Sequence, residues 1–248
     1  MADKISLSKH SPRAPEGLDK EQTKEALQQV LAEVAELQNL LYANGKHSIL
    51  LILQGMDASG KDGVISEIFS RVNPQGIKIQ SFKVPTEEEL AHDFLWRIHK
   101  HTPEKGMIQI FNRSQYEDIL VTRVKKIIDD ETARKRMHAI NHFEQLLTDN
   151  DTHIIKCYLH VSEERQKERI EERRTMPEKM WKYNAGDLDV VAHRNDYIAC
   201  YEDAFEHCSV VPWHIIPADQ NWYKSYTIAC LLRDTLKGMD MQYPKIQD

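Results

Sequence analysis

Apolar residues follow two alternating patterns along the chain. One is the spacing of an amphipathic helix, first seen from residue 18 to about residue 43. The other is a short continuous apolar run, which is typical of a strand buried on both faces of a parallel sheet. These runs predict strands at residues 47–54, 77–84, 107–112, 153–161 and 211–218. Helical periodicity predicts helices at about 61–72, 87–100, 115–128, 132–149, 162–174, 187–207 and 222–238.

The alternation of strands and helices predicts the fold class. Strands separated by helices require crossover connections, which give a parallel sheet covered on both faces. We therefore expect a three-layer α/β fold with a parallel five-stranded sheet. Residues 1–18 are polar and aperiodic and contain two prolines, so we predict an N-terminal arm there. The remaining residues, 19–248, are enough for a single domain.

Composition narrows the function classes. The formal net charge of −6 argues against a nucleic-acid binder that works by bulk charge. No apolar run is long enough for a membrane span, and the N-terminus has no apolar signal core, so we expect a cytoplasmic protein with no membrane partner. The four cysteines form no CxxC pair and predict buried thiols without a chemical role.

A glycine-rich loop follows the first predicted strand directly. Residues 55–63 read GMDASGKDG and fit the phosphate-loop pattern G-x-x-x-x-G-K between a strand and a helix. Backbone N–H groups in such a loop close around phosphate oxygens, and the helix N-terminus adds a partial positive charge. We expect this loop to bind phosphate through Gly55, Ala58, Ser59, Gly60, Lys61 and Gly63.

The same loop carries two carboxylates. Asp62 stands where a serine or threonine normally ligates magnesium, and Asp57 lies inside the loop itself. Two acids in a phosphate cradle are unfavourable unless a divalent cation lies between them and the phosphate. The sequence therefore predicts Mg²⁺ held by Asp57, Asp62 or both.

A second motif ends the third predicted strand, where residues 111–118 read FNRSQYED. Because ligands bind beyond the carboxyl ends of the strands, Arg113 is expected to face the same phosphates as Lys61. Glu117 and Asp118 have two interpretations. Either the dipole of the following helix favours them there, or they form a second phosphate and metal shelf.

The helix predicted at 162–174 carries Arg165, Arg169 and Arg173 at a spacing of four, so they share one face. Such a row could grip successive phosphates during phosphoryl transfer. Alternatively, the interleaved glutamates make this a solvated, salt-bridged helix. In the first interpretation the helix begins a lid at about residues 162–187, continued by Pro177, Lys179, Trp181, Lys182 and Asp187.

Taken in this order, the motifs resemble those of the second polyphosphate kinase family, the polyphosphate:nucleotide phosphotransferases. The resemblance covers about residues 15–240 and is greatest to the branch that phosphorylates both nucleoside mono- and diphosphates. It rests on QGMDASGKDG (54–63), NPQG (73–76), SFKVPT (81–86), HDFLWR (92–97), FNRSQYED (111–118), MWKYNAGD (180–187) and IIPAD (215–219).

The resemblance implies a thymidylate-kinase-like P-loop fold with a mobile lid. It implies Mg²⁺-dependent, reversible transfer between inorganic polyphosphate and AMP or ADP, with guanine nucleotides left open, in a homodimer or homotetramer. The implied catalytic residues are Asp57, Lys61, Asp62, Arg113, Glu117 and Asp118, with Arg169 and Arg173 from the lid.

The nucleotide pocket is expected to include Trp96, Arg97 and Asn112, although Trp96 could instead pack a core or a subunit interface. Other positions depart from the family pattern. Gln115 stands where a histidine or tyrosine is common, Arg194 where an aromatic residue is expected, and Asn221 where a lysine is usual. These departures leave the base preference and the C-terminal basic contacts open.

Two other functions compete with this one. A nucleoside monophosphate kinase that uses ATP would share the fold, but Asp62 removes the usual hydroxyl ligand of ATP-bound magnesium. A non-catalytic nucleotide or polyphosphate sensor would also keep the loop, but a pure binder has no need of both acids.

Overall fold

The computed structural model describes residues 5–184 and 186–245, except for the side chains of Asp187 and Leu188. A parallel five-stranded sheet in the order β2-β3-β1-β4-β5 forms its centre. The strands are β1 Ser48–Gln54, β2 Ile77–Ser81, β3 Ile108–Asn112, β4 Thr152–His160 and β5 Trp213–Pro217. The predicted sheet is confirmed.

Helices connect the strands. The α-helices of the described residues are α1 Lys20–Asn44, α2 Lys61–Ile68, α3 Glu87–Leu90, α4 Trp96–His99, α5 Val121–Val124, α6 Asp130–Asp149, α7 Glu163–Thr175, α8 Pro177–Met180, α9 Gly186–Ala192, α10 Arg194–His207 and α11 Asn221–Lys237. Short 3₁₀ helices occur at Leu7–Lys9, Pro74–Gly76 and Gln115–Ile119. No described helix is both long and apolar enough to cross a membrane.

Each face of the sheet is covered by its own apolar cluster. Leu51 and Leu53 of β1 point into a cluster built with α1, α2 and α11. Leu50 and Ile52 point into the opposite cluster, which includes Phe143 of α6. Side chains of a strand alternate between faces, so a strand buried on both sides has to be apolar throughout. This explains the continuous apolar run at β1.

The helix predicted over residues 87–100 is instead two short helices, so this prediction was wrong. Thr86 and Glu89 form a capping box that starts α3, which ends at Leu90. The carboxylate of Asp93 then accepts a hydrogen bond from the Leu95 N–H at 2.9 Å. This local side-chain bond competes with helix continuation and separates α3 from α4.

The prediction of one helix over residues 115–128 was also wrong. A 3₁₀ turn at Gln115–Ile119 comes first, and only the four-residue α5 follows. In a 3₁₀ turn, residues three apart lie on the same side, and Tyr116 and Ile119 are both fully buried. Core burial of that pair explains the tighter turn. The segment predicted at 187–207 is likewise divided, at His193, into α9 and α10.

Residues 5–18 lie against the domain. Leu7 is buried, and its N–H donates to the Glu202 carboxylate at 2.7 Å. The Pro12 carbonyl accepts from the Asp219 N–H at 3.0 Å. The division into an arm (1–18) and a domain (19–248) stays a prediction, and residues 1–4 and 246–248 lie outside the described part.

Candidate active site

The loop between β1 and α2 has a backbone that only certain residues adopt easily. Gly55 and Gly60 have φ of 147° and 96°, and Ala58 has φ of 63°. A Cβ atom on Gly55 would lie 2.9 Å from the Leu159 carbonyl oxygen, so a larger residue does not fit there. The strand–loop–helix order that the motif predicts is present, with α2 beginning at Lys61.

Lys61 folds its side chain back over the loop. Its ammonium donates to the carbonyl oxygens of Gly55 at 2.7 Å and Met56 at 3.2 Å, and to Ser59 Oγ at 3.4 Å. Burial, and secondly the charge of Arg113, lower the pKa of Lys61 to about 8. An anion in the loop would supply the negative charge that this buried ammonium lacks.

Arg113 joins the phosphate loop to the motif after β3. Its guanidinium donates to Glu117 Oε2 at 2.9 Å and also to the Asp57 carboxylate. Glu117, and also Asp57, raise the pKa of Arg113 above its ordinary value, in spite of burial. The backbone of Arg113 has φ of 64°, and its N–H donates to the Leu53 carbonyl oxygen at 3.0 Å. The structure thus brings Arg113, Asp57 and Glu117 together.

Asp62 makes a separate set of contacts. Its Oδ1 accepts a hydrogen bond from Asn112 Nδ2 at 2.7 Å, so the carboxyl end of β3 is tied to the first turn of α2. Its Oδ2 lies 3.7 Å from the Lys182 ammonium, in the turn after α8. Asn112, predicted to contact nucleotide, therefore contacts Asp62 here. The predicted lid residue Lys182 reaches the phosphate loop.

The acidic residues fit a divalent cation whose coordination would be completed by substrate oxygens. Within residues 5–184 and 186–245, no three His, Cys, Asp or Glu side chains converge as a ready-made metal site. Asp57 and Asp62 supply carboxylate oxygens, and the Asp62 side chain is 58% exposed. Mg²⁺ typically uses one or two carboxylates together with phosphate oxygens and water. The donor set of this loop fits that arrangement and not an all-protein cage.

Asp118 and Glu117 are adjacent in sequence but have different partners. Asp118 Oδ2 lies 3.5 Å from the Arg97 guanidinium and has no hydrogen-bond partner among the described residues. Burial raises the pKa of Asp118, although the charges of Arg97 and Arg136 oppose that shift. The structure therefore groups Glu117 with Arg113, and Asp118 with Arg97.

Arg97 is buried and links three segments. It donates to the Lys83 carbonyl oxygen at 3.0 Å and lies 3.6 Å from Glu89 Oε2, in addition to its contact with Asp118. The neighbouring Trp96 is half-buried, and its ring stacks on His92 with 3.9 Å between the centroids. The assignment of Trp96 and Arg97 to a nucleotide pocket stays a prediction.

Arg169 of α7 lies on the carbonyl side of the phosphate loop. Its guanidinium donates at 2.9–3.1 Å to five oxygens, those of the Ala58, Ser59, Ala218 and Asp219 carbonyls and Asn221 Oδ1. Burial lowers the pKa of Arg169 to about 10. The structure thus places this predicted lid arginine against the loop backbone. Arg173 lies one turn further along α7 and is half-buried.

Sequence reasoning missed Lys224. Its ammonium is buried and donates to the carbonyl oxygens of Ser59 at 3.4 Å and Gly60 at 3.2 Å, and to Asn221 Oδ1 at 3.1 Å. A sequence signal was present, because Lys224 shares a helical face with the buried Ile228 and Leu232. A lysine in an apolar face predicts a buried cation, but the pattern does not say what it contacts.

Sequence reasoning also missed that Gln166 and Arg194 support the phosphate loop. Gln166 Nε2 donates to the Asp57 carbonyl oxygen at 3.0 Å. Arg194 in turn donates to Gln166 Oε1, and to the Val161 carbonyl oxygen at 2.6 Å. Arg194, noted as a departure from the family pattern, therefore supports the same loop.

A parallel sheet whose central strand leads into this loop, with Lys61 and Arg113 at its carboxyl end, defines a P-loop kinase fold. The chain belongs to the polyphosphate kinase 2 family, whose sequence model matches residues 17–244. The predicted resemblance and fold class are thereby confirmed.

Individual relatives agree with this membership. The AMP/ADP-polyphosphate phosphotransferase of Meiothermus ruber is 46% identical over 223 residues, which are 89% of this chain and 84% of the relative. The ADP-polyphosphate phosphotransferase of Rhodopseudomonas palustris is 38% identical, over 98% of this chain and 89% of the relative. The crystal structure of polyphosphate kinase 2 from Arthrobacter aurescens TC1 superposes with a TM-score of 0.96 at 40% identity, covering 100% of this chain and 90% of that one.

Proposed function

We propose that this protein transfers phosphoryl groups reversibly between inorganic polyphosphate and the adenine nucleotides AMP and ADP. The observation that supports this most is Asp62, which follows Lys61 directly and is tied to Asn112. An ATP-dependent enzyme would carry a magnesium-binding hydroxyl at that position. The names of the relatives from M. ruber and R. palustris, which refer to polyphosphate with AMP or ADP, support the same substrates.

Catalysis depends on alignment and charge. A terminal phosphate oxygen of AMP or ADP attacks the end phosphorus of polyphosphate in line, and the anhydride bond to the shortened chain breaks. Lys61 and Arg113 stabilise the charge on the transferring group, and Lys61 exchanges its bonds with the Gly55 and Met56 carbonyls for bonds with phosphate oxygens. Arg113 is held in place by Asp57 and Glu117.

Asp57 and Asp62 would hold Mg²⁺, which, when bound, neutralises the repulsion between donor phosphate, acceptor phosphate and the carboxylates. The lid at about 162–187 would close over the nucleotide, and the contact between Lys182 and Asp62 supports its position beside the phosphate loop. The predicted lid ends at Asp187, whose side chain is outside the described part of the structure. Assembly as a homodimer or homotetramer and a cytoplasmic location complete the proposal.

The test uses purified protein with Mg²⁺, long-chain polyphosphate and either AMP or ADP, with the nucleotides separated by chromatography. We expect both ADP and ATP to form from AMP. Product from ADP but not from AMP would support polyphosphate as the donor and restrict the acceptor to ADP. Turnover of a monophosphate with ATP and not with polyphosphate would identify an ATP-dependent kinase. Binding of polyphosphate without any turnover would identify a sensor.

A further inference from the structure

The phosphate loop has a second surface, formed by its carbonyl groups. A loop that turns its N–H groups toward an anion has to place its carbonyl oxygens elsewhere, and buried ones need donors. Four consecutive carbonyls of this loop accept hydrogen bonds from side chains of α7 and α11. Their donors are Gln166 for Asp57, Arg169 for Ala58 and Ser59, and Lys224 for Ser59 and Gly60.

Lys224 is the unusual donor in this set. Its side chain is buried, and its three hydrogen-bond acceptors in the described part of the chain are all neutral oxygens. Burying an ammonium without a hydrogen-bonded carboxylate is unfavourable. Burial, and then the charges of Arg169, Lys61 and Arg165, lower the pKa of Lys224 to about 7, while Glu67 opposes the shift. An apolar residue at this position would pack at lower cost, so the lysine points to a role beyond packing.

Gly60 leaves the space that Lys224 occupies. An ideal Cβ on Gly60 would lie 2.3 Å from the Lys224 ammonium nitrogen, well inside van der Waals contact. A larger residue at the second glycine of the G-x-x-x-x-G-K motif would therefore require the Lys224 ammonium to move from this position. The same glycine has φ of 96°, which disfavours other residues independently.

The planarity of the peptide bond connects this contact to the anion site. The carbonyl of Ser59 and the N–H of Gly60 belong to one rigid peptide plane, and the carbonyl of Gly60 and the N–H of Lys61 belong to the next. A donor that fixes the direction of these two carbonyls therefore also fixes the direction of the two N–H groups, which point the opposite way.

We propose that Lys224 is a positioning residue of the phosphate loop, which orients the N–H groups of Gly60 and Lys61 toward the donor phosphate by holding the carbonyls of Ser59 and Gly60. This inference rests on the proposed function of the loop as the binding site for polyphosphate. Lys224 itself does not touch the substrate. Its effect is on how the loop receives the anion.

The test compares Lys224→Met and Lys224→Arg with wild type. Lys237→Met is the matched control, because Lys237 lies at the other end of the same helix and its side chain is 54% exposed. Tripolyphosphate binding is measured by calorimetry in the absence of nucleotide. Turnover is measured by steady-state kinetics with polyphosphate and ADP, and the stability of each variant by thermal unfolding. Lys224→Met is expected to weaken tripolyphosphate binding and lower kcat by about tenfold each, the effect of losing a hydrogen bond from a charged group.

The KM for ADP separates positioning from general damage. We expect it to change by less than about threefold in Lys224→Met, because the contact acts on the donor side of the site. Lys224→Arg should restore tripolyphosphate binding to within about threefold of wild type, since a guanidinium can donate to both carbonyls. Lys237→Met should match wild type throughout.

Several results would overturn the inference. One is a folded Lys224→Met that binds tripolyphosphate like wild type, and another is an equal loss in every kinetic parameter, including the KM for ADP. If Lys224→Met does not fold, Lys224→Gln replaces it with the same expected losses, and a Lys224→Arg that folds but is not restored would also contradict the inference. A wild-type protein that binds tripolyphosphate but never turns it over would contradict the proposed function instead, and the binding comparison would still test Lys224.

Discussion

The ammonium nitrogen of Lys156 lies 2.7 Å from Glu144 Oε2, and neither side chain is exposed to solvent. The hydroxyl of Tyr116 donates to Glu144 Oε1 at 2.6 Å, and Lys156 Nζ donates to the Tyr116 oxygen at 2.9 Å. Tyr116 belongs to the 3₁₀ turn that carries Glu117, the partner of Arg113. A buried ion pair between α6 and β4 thus fixes the turn that delivers an acid to the candidate site.

We predict that Glu144→Gln lowers the free energy of unfolding by about 3–5 kcal/mol, because it leaves the buried ammonium of Lys156 without its counter-charge. Denaturant unfolding followed by circular dichroism measures the change. Glu21→Gln is the control, since Glu21 pairs with Lys24 at 3.0 Å on the exposed surface of α1. An exposed pair of this kind contributes at most about 1 kcal/mol. Equal losses in the two variants would contradict the structural role of the buried pair.

The same pair shows what the sequence could and could not predict. Lys156 is visible as a lysine inside the apolar run of β4, but nothing in the pattern indicates that Glu144 is its partner. The phosphate loop was predictable because strand, loop and helix are adjacent in sequence. Arg113 was placed through a general rule about strand ends.

The hydrophobic pattern could not predict contacts between segments that are far apart in the sequence. Lys224 meets Gly60 across 164 residues, and Gln166 meets Asp57 across 109. The strand order is also a matter of distant pairing, since β1 lies between β3 and β4. The predicted helix at 87–100 failed for a local reason, the side-chain bond of Asp93, which hydrophobic periodicity does not detect.

Arg113→Met is predicted to lower kcat by about 10²–10³-fold, the effect of losing one preorganised group that stabilises transition-state charge. The loss should appear with saturating polyphosphate and ADP, because Arg113 acts at the transferring group. Arg233→Met, on the far part of α11 where Arg233 pairs with Asp234 at 2.7 Å, is the control and should keep wild-type kcat. Unchanged turnover in Arg113→Met would exclude a catalytic role for this arginine.

Asp62→Asn is predicted to raise the Mg²⁺ concentration for half-maximal activity by about tenfold or more, because a full negative charge opposite a divalent cation is lost. The amide oxygen can still accept the hydrogen bond from Asn112, so the fold of the loop should persist. Activity is measured against free Mg²⁺ at constant polyphosphate. Asp130→Asn, at an exposed carboxylate paired with Arg123, serves as control. A variant with the wild-type Mg²⁺ requirement would remove Asp62 from the proposed metal site.

Gly60→Ala is predicted to destabilise the protein by about 1–2 kcal/mol, because alanine is strained at φ of 96° and its Cβ would meet the Lys224 ammonium. Gly63→Ala provides the stability comparison, since that position lies inside α2 and no atom of the described residues comes within 4 Å of the added carbon. There alanine should be neutral or stabilising by up to about 1 kcal/mol. Thermal unfolding separates the two, and equal stability of both variants would contradict the predicted strain at the positive φ of Gly60.

The lowered pKa values of Lys61, about 8, and Lys224, about 7, predict opposite effects of pH on binding and on stability. A polyanion in the loop favours the charged lysines and raises their pKa values, so binding takes up protons. Affinity for long-chain polyphosphate is then full below the pKa values of the free protein and falls above them. The titration of Lys61 alone accounts for a loss of about tenfold between pH 7 and pH 9, and Lys224 adds to it.

The unliganded protein should behave in the opposite way over the same range. The unfolded chain binds protons at lysine's ordinary pKa of 10.5. The native state therefore holds fewer protons above pH 7, and the free energy of unfolding rises with pH. Calorimetry in buffers of different ionisation enthalpy measures the proton uptake on binding, and denaturant unfolding measures the stability. Affinity and stability that fell together above pH 7 would indicate general unfolding of the site and contradict the assignment to the buried lysines.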